Sequence, residues 1–522
     1  MKRIIVEKNS YHDSVFLMLI NREIKKDTDA KDAVVVMGTE VNVDFLKEIG
    51  FSNPELGTAT PQDLIIAIDA VDDDAAQRAI RLARDLLKKK KIQVEEMGEY
   101  RPVSLDTAFR MLPDVNLVII SLPGVFAARE AMKALEKGLH VMLFSDNVSL
   151  EDEIKLKKLA RKKGILMMGP NCGTAIINGK PLCFANVVRR GNIGIVAASG
   201  TGLQEVSCIV DKLGGGISQA IGTGGRDLQS SDVGGMMTLT AIEALKHDPD
   251  TEVLVVISKP PAPDVAGLVI SSLRETEKPS LVHFIGIEPS RQEGNLSFAG
   301  NLEEAARMAV ALSNGAEYKP PTFTIPEEEV ERLVERETSR MKGEQKYLRG
   351  LFTGGSLADE AMIVFEKGIG EVYSNNQAKP ELVLKDPHAS VKHTIVDLGD
   401  DVFTVGRPHP MIDPSIREER ILKEVEDPEV ALILLDIVLG NGCHADPAGA
   451  ILESLIHAKK RAERRGGYLS IVTFITGTEG DFQNFTKQKD KLDGIGCVVM
   501  PSNFQASMIA RNIMKKVAEN GE

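Results

Sequence analysis

From residue 117 onward, short apolar runs alternate with stretches of helical period. Residues 117–121 are apolar nearly throughout, 125–137 carry a helical stripe, and 140–144 are apolar again. Residues 150–163 and 165–168 continue the alternation as helix and strand. Strands that are apolar on both faces, separated by helices, predict a parallel sheet covered on both sides. A further set of such strands follows Gly191, at 193–197, 216–219, 253–257 and 281–284. Before residue 96 the pattern differs. Strands at 3–7, 33–37 and 64–68, with helices at 14–26 and 72–90, predict a small α+β unit in the order βαββα, a split-βαβ (ferredoxin-like) arrangement.

Pro320, Pro321 and Pro326, followed by an acidic-basic stretch at 327–346, mark a boundary and predict a charged linker helix. The blocks on either side of it read as copies of one unit. Each opens with an apolar strand running into a small-residue turn, Ser199-Gly200-Thr201-Gly202 in one and Thr353-Gly354-Gly355-Ser356 in the other. Each carries Asp-Pro before a later strand, at Asp248-Pro249 and Asp427-Pro428, and Gly-x-Glu after another, at Gly286 and Gly477. A duplicated flavodoxin-like unit accounts for this. The expected organisation is an N-terminal α+β unit (1–95), a Rossmann-like domain (96–188), a flavodoxin-like domain (189–317), a charged linker (318–345) and a second flavodoxin-like domain (346–522). The fold class is α/β.

Length and composition fit this reading, since 522 residues correspond to several domains of ~100–200 residues. Lys and Arg number 63 against 76 Asp and Glu, a net charge of −13 that argues against nucleic-acid or anionic-membrane partners. The basic run Lys88 to Lys91 reads as a solvated helix face, and the absence of Trp speaks against stacking platforms. Five cysteines at irregular spacing form no disulfide framework and no zinc pattern, so no metal site is expected. No signal-peptide core and no apolar run near the ~20 residues of a membrane span are visible; the longest, 430–435, is broken by Asp436. A cytoplasmic protein is expected.

The candidate chemistry lies at the turns. At Ser199, Gly200 and Thr201 the chain leaves a strand and starts a helix whose first N–H groups lack internal partners, and small residues let an anion approach them. Thr353, Gly354, Gly355 and Ser356 repeat the arrangement, as do Gly440, Asn441 and Gly442. Gly224, Gly225 and Arg226 offer a glycine-rich loop with one cation. A second cluster is the proline-stiffened segment from Arg407 to Pro414, which holds Arg407, His409 and Asp413; His409 is the proton-transfer candidate and Arg407 a clamp. His444 is placed in the first turn of a helix, and Cys172 reads as a packed turn cysteine. Each of these features also has a plain structural reading, as cap, turn or core.

Residues 115–315 resemble the α subunit of succinyl-CoA synthetase and its NDP-forming acyl-CoA synthetase relatives, through Gly169-Pro170-Asn171-Cys172, the segments at 193–201 and 221–225, and that at 248–253. Residues 346–518 resemble the carboxy-terminal domain of the β subunit, without the ATP-grasp domain that normally precedes it. As a whole the chain resembles the FdrA family, including the segments 9–15 and 407–414. The resemblance implies a pair of facing helix starts that cradle phosphate. It also shows departures: Phe298 stands where the synthetases carry a phosphorylated His, Lys259 where a Glu orients it, and the Gly-rich loop for the CoA phosphates is not found. No cofactor is therefore assigned, and CoA binding is disfavoured. What the resemblance implies is carbamoyl transfer between carbamoyl phosphate and oxamate, in purine-ring (allantoin) breakdown, by a hetero-oligomer with co-encoded subunits. An acyl-CoA synthetase subunit needing an ATP-grasp partner, and a non-catalytic scaffold, are the alternatives.

Overall fold

The computed structural model describes the chain except residues 11, 13–15, 18, 19, 22, 25–27, 29, 97–101, 103, 289–291, 319–322, 405, 406 and 522. The chain forms two compact units, Met1–Met111 with Asp401–Pro408, and Leu112–Asp400 with His409–Glu522. The expected helix at 14–26, most of the segment 9–15, and Pro320 and Pro321 fall partly or wholly outside the described residues.

The smaller unit contains a three-stranded antiparallel sheet of β1 (Lys2–Glu7), β2 (Ala30–Met37) and β3 (Leu64–Ala70), in the order β1-β3-β2. Alternation along β2 and β3 sends Val35, Ile66 and Ile68 to one face, against Ala75, Ala76, Ala79 and Ala83 of the helix Asp73–Glu96. Val34, Val36, Ile65 and Ala67 go to the other face, where Leu46, Phe51 and Leu56 cover them. The helix Glu40–Glu48, not expected from the sequence, supplies Leu46 to that cover.

The larger unit begins with three parallel strands, β4 (Leu117–Ile120), β5 (His140–Leu143) and β6 (Met167–Met168). A hairpin follows, β7 (Thr174–Ile177) and β8 (Lys180–Cys183), turned by Asn178 and Gly179, both at positive φ. The hairpin is not expected from the sequence; it lies within residues 96–188, yet it pairs with the next sheet, where β7 runs antiparallel to β10.

That sheet holds β9 (Arg190–Ala198), β10 (Ile217–Gly222), β11 (Val253–Ser258), β12 (Ser280–Phe284) and β13 (Leu296–Phe298). Its order is β13-β12-β11-β9-β10-β7-β8. The last sheet holds β14 (Tyr347–Phe352), β15 (Thr394–Asp397), β16 (Val430–Val438), β17 (Ser470–Thr476) and β18 (Val498–Met500), in the order β15-β14-β16-β17-β18. Numbered within each block, both sets of five parallel strands follow 2-1-3-4-5, the flavodoxin-like order. The duplication read from the turns is thus present in the topology. In this order the chain reverses direction across the sheet between strands 1 and 3, and ligand crevices open beyond their carboxyl ends. Here those points lie at Ser199 and Lys259 in one sheet, and at Thr353 and Gly440 in the other.

The expected linker is not a free tether. Its helix, Glu327–Thr338, buries Val330, and Glu337 accepts hydrogen bonds from Tyr468 Oη (3.0 Å) and Ser470 Oγ (2.8 Å). Among the described residues no helix is long and apolar enough to cross a membrane.

Candidate active site

Two helices start at the paired switch points, Gly200–Lys212 after β9 and Gly355–Ile369 after β14. Ser199 caps the first, its Oγ accepting from Gly202 N at 3.2 Å. The same Oγ donates to Ser356 Oγ at 2.7 Å, so the two helix starts meet. Gly354 has no side chain to cap the second helix, and a methyl there would lie 2.8 Å from Thr201 Cγ2. Two positive dipole ends thereby converge on one small region, and backbone N–H groups at each favour an anion.

Deeper in the unit the same two helices are tied by Asn503. Its backbone N donates to Glu205 Oε1 at 2.9 Å and its Nδ2 to Glu360 Oε2 at 2.7 Å. Burial pushes the Glu360 carboxyl up to about 8, so this tie is neutral in part at physiological pH.

Charged residues complete the site. Lys259, at the end of β11, pairs with Asp359 at 2.7 Å. A methyl at Gly355 would lie 2.5 Å from Asp397 Oδ2 and 3.2 Å from Lys259 Nζ, which places both charges beside the second helix start. Burial opposes the Lys259 charge, but Asp359, Asp397 and Asp400 outweigh it and hold its pKa above the ordinary lysine value. Asp397 accepts from Gly399 N (2.9 Å) and Asn376 Nδ2 (3.0 Å). Burial pushes its carboxyl up to about 7; Asp359 and Asp400 add to the rise, whereas Lys259 and Gly399 N oppose it. Asp397 and Glu360 keep protons that an unfolded chain releases above their ordinary values of 3.8 and 4.5. The contribution of each to stability therefore falls as pH rises from those values through about 7 and 8.

Asp436, the residue that interrupts the longest apolar run, lies inside β16 and is fully buried. Its carboxylate accepts from Thr353 N (3.0 Å), Thr353 Oγ1 (3.1 Å) and Gly354 N (2.9 Å), and it pairs with buried Arg417. An internal carboxylate thus occupies the first two N–H groups of the second turn. Thr353 and Gly354, expected as anion donors, therefore have their N–H groups taken by protein.

His409 is partly buried, packed 5.6 Å from the Phe184 ring. Its Nδ1 accepts from Met411 N at 3.2 Å, which leaves Nε2 as the hydrogen-bearing nitrogen of a neutral ring. Burial pushes its pKa down to about 4, so the ring stays neutral near pH 7. Nε2 lies 2.5 Å from where a methyl at Gly399 would stand, beside Thr353 O. The proton-transfer candidate is therefore placed as a hydrogen-bond donor. Arg407, its expected companion, is exposed and belongs to the smaller unit.

Two expected anion turns are closed by protein. Gly224 sits at φ +81° with a would-be methyl 3.0 Å from Gly169 Cα, and Gly225 precedes only the four-residue helix Arg226–Gln229. Arg226 pairs with Glu153 at 2.8 Å and donates to Val148 O at 2.7 Å, so it clamps the chain itself. At the other turn, Asn441 N donates to Ala185 O (2.9 Å) and Gly440 N to Gln483 Oε1 (3.2 Å). A methyl at Gly442 would lie 3.1 Å from the Phe184 ring. In both places glycine serves close packing of backbone on backbone. His444 precedes its helix, Pro447–Arg464, and bonds to Asp446 N through Nδ1. Cys172 is buried, with its thiol pushed up to about 12 by burial, and so is an inert packed cysteine.

Residues 1–102 match the family described as AllF, heavy metal-associated domain, and residues 351–513 match the CoA-ligase family. YahF of Escherichia coli (strain K12) is 45% identical over 519 residues, 99% of each chain. The chain belongs to the YahF family. Subunit alpha 2 of a succinate–CoA ligase [ADP-forming] from Archaeoglobus fulgidus is 27% identical over 188 residues, 35% of this chain and 63% of that subunit. This YahF-family chain thus spans about three-fifths of that relative. A dinucleotide-forming acetyl-coenzyme A synthetase of Ca. Korarchaeum cryptofilum aligns over 78% of this chain and 85% of its own, at 17% identity and a TM-score of 0.29. The YahF-family chain is an α/β protein related to succinyl-CoA synthetase α.

The heavy-metal description does not fit the donors present. Residues 1–102 contain no Cys and a single His, His12, and soft metal ions select thiolates. Among the described residues no group of three or more His, Cys, Asp or Glu could hold a metal ion.

Phe298, at the end of β13, is only partly buried, packed at the edge of an apolar cluster. Replacing it by His is expected to cost about 1 kcal/mol in lost apolar burial. Phe298→His is not expected to become phosphorylated by ATP, because the resemblance sets Lys259 where the synthetases carry the orienting Glu, and an ammonium cannot accept an imidazole N–H. Acid-labile phosphate on the variant after incubation with labelled ATP and magnesium is the measurement. Stoichiometric phosphohistidine would contradict it.

Proposed function

We propose that this chain is a carbamoyltransferase subunit, of FdrA type, that binds carbamoyl phosphate at the paired helix starts and transfers its carbamoyl group to a small carboxylate such as oxamate. The observation that carries this reading is the direct Ser199–Ser356 contact, which brings two helix starts to one point with Lys259 beside them. N–H groups of Gly200, Thr201, Gly355 and Ser356 would receive the phosphate oxygens, and Lys259 would offset their charge. His409 would donate through Nε2 to charge that develops on the reacting group. With Phe298 at the phosphorylated position of the synthetases, group transfer from a ready-made acyl phosphate needs no protein phosphate. Co-encoded subunits would complete the enzyme.

A second reading, an acyl-CoA synthetase subunit with its ATP-grasp domain supplied in trans, is favoured by the CoA-ligase match over 351–513. Assays of the chain with its co-encoded partners separate the two. Carbamoyl phosphate and oxamate should yield phosphate and oxalurate; ATP, CoA and small carboxylates should yield no thioester. The reverse result would install the second reading.

Binding can be tested without turnover. Gly200 has space for a side chain, its would-be methyl lying 3.5 Å from Thr174 Oγ1. Gly200→Asp should therefore fold, yet place a carboxylate at the anion position. Wild-type protein should gain about 2.7 kcal/mol from carbamoyl phosphate at ~100 times its Kd, and the variant none. Equal thermal protection of both would remove Gly200 from the site.

A further inference from the structure

The carboxylate cluster beside the second helix start has no role in anion binding as described, and Asp397 stands out within it. It ends β15, strand 2 of its sheet, with its carboxyl against Gly355, the first residue of the helix. Groups facing it are Lys259 from the end of β11, Asp359 from the helix Gly355–Ile369, and Asp400 from the loop that follows. A fully ionised Asp397 would set a negative charge next to the position proposed for a phosphate dianion. Its neutral acid would set a donor there instead.

We propose that Asp397 is the proton-carrying catalytic residue of this site: it enters as the neutral acid, protonates the departing phosphate, and takes the proton released by the acceptor nitrogen. This rests on the reading of the helix starts as an acyl-phosphate site. The step balances. The acceptor nitrogen attacks the carbamoyl carbon and forms the C–N bond. The bond from that carbon to the phosphate oxygen breaks, and its electron pair stays on the phosphate. The Asp397 hydrogen goes to that oxygen, and the resulting carboxylate removes the surplus proton from nitrogen. The net transfer is one proton from nitrogen to phosphate, and Asp397 is restored. Burial holding the group near neutrality matches the range in which an acid–base catalyst works best at physiological pH.

Sulfate, dianionic throughout the pH range used, is a suitable probe because phosphate itself titrates. Sulfate affinity of the full chain is measured by calorimetry at pH 6 and pH 8. Where only the protonated form admits the anion, binding should be roughly tenfold tighter at pH 6. Asp397→Asn should bind with the pH 6 affinity at both values; this variant also separates Asp397 from Glu360, which titrates nearby. In the transfer assay, wild-type rate should fall above about pH 7 and Asp397→Asn should lose most of it.

The outcomes are distinguishable. Sulfate bound equally at pH 6 and pH 8 by wild-type protein would overturn the role of Asp397 while leaving the anion site intact. No sulfate binding by either protein at either pH would overturn the anion site, and this proposal with it. Normal turnover by Asp397→Asn would overturn the proton transfer.

Discussion

Asp436→Ala is expected to destabilise the larger unit by about 3–5 kcal/mol, the cost of removing one partner from a buried ion pair. The substitution strands the Arg417 guanidinium in a buried place, where Leu351 O also accepts from it. It also leaves Thr353 N, Thr353 Oγ1 and Gly354 N without their acceptor. Such unmade bonds cost more than formed ones contribute, because the donors stay desolvated. Asp436→Asn keeps one acceptor oxygen and the shape, so its loss should be smaller. Urea unfolding followed by circular dichroism measures both. The anion site gives a second readout. The turn held by Asp436 leads directly into Gly355 and Ser356, so sulfate affinity should fall in the Ala variant even well below its unfolding midpoint. A variant as stable as wild type would mean that Arg417 reaches water or another acceptor when Asp436 is gone.

His409→Ala is expected to lower the transfer rate by about 10²–10³, the usual cost of one preorganised donor aimed at developing charge. The ring is neutral, carries its hydrogen on Nε2, and is held by Met411 N and by packing on Phe184. A donor of this kind costs no reorganisation when charge appears. Because His409 is only partly buried, the loss of stability should be small. His409→Gln, which keeps a donor on a flexible stem, should recover part of the rate. A donor that stays neutral across the range also predicts that wild-type activity shows no inflection near pH 6.5 from this residue. Unchanged turnover in His409→Ala, assembled with its partners, would reduce the residue to a turn-former.

Much of the architecture was legible because periodicity and turn chemistry are local. Runs such as 193–197 and 430–435 are apolar on both faces, and such strands have no stable place except inside a parallel sheet. The repeated small-residue turns at Ser199 and Thr353 announced the duplication, and both copies do take the 2-1-3-4-5 order. The hairpin β7–β8 has a local signal too, Asn178-Gly179 directly after the apolar run 175–177. Its placement on the second sheet has none, since a hairpin says nothing about which edge it joins.

The site divides in the same way. The sequence by itself determined that small residues would start two helices at carboxyl ends of strands, which brought Ser199, Gly200, Thr201 and Ser356 into view. It could not rank the turns. Four looked alike locally, yet Gly224 and Gly440 are sealed by residues 55 and 255 positions away in the chain, Gly169 and Ala185. Nor could it show that Asp436 fills the N–H groups of Thr353 and Gly354 from 83 and 82 positions away. Asp397 escaped notice because nothing local distinguishes an acid at the end of a four-residue strand. Its raised pKa arises only when folding removes water and sets Asp359 and Asp400 around it. Turn geometry is set by neighbours along the chain, whereas access, charge and proton affinity are set by neighbours in space, and only the tertiary structure supplies those.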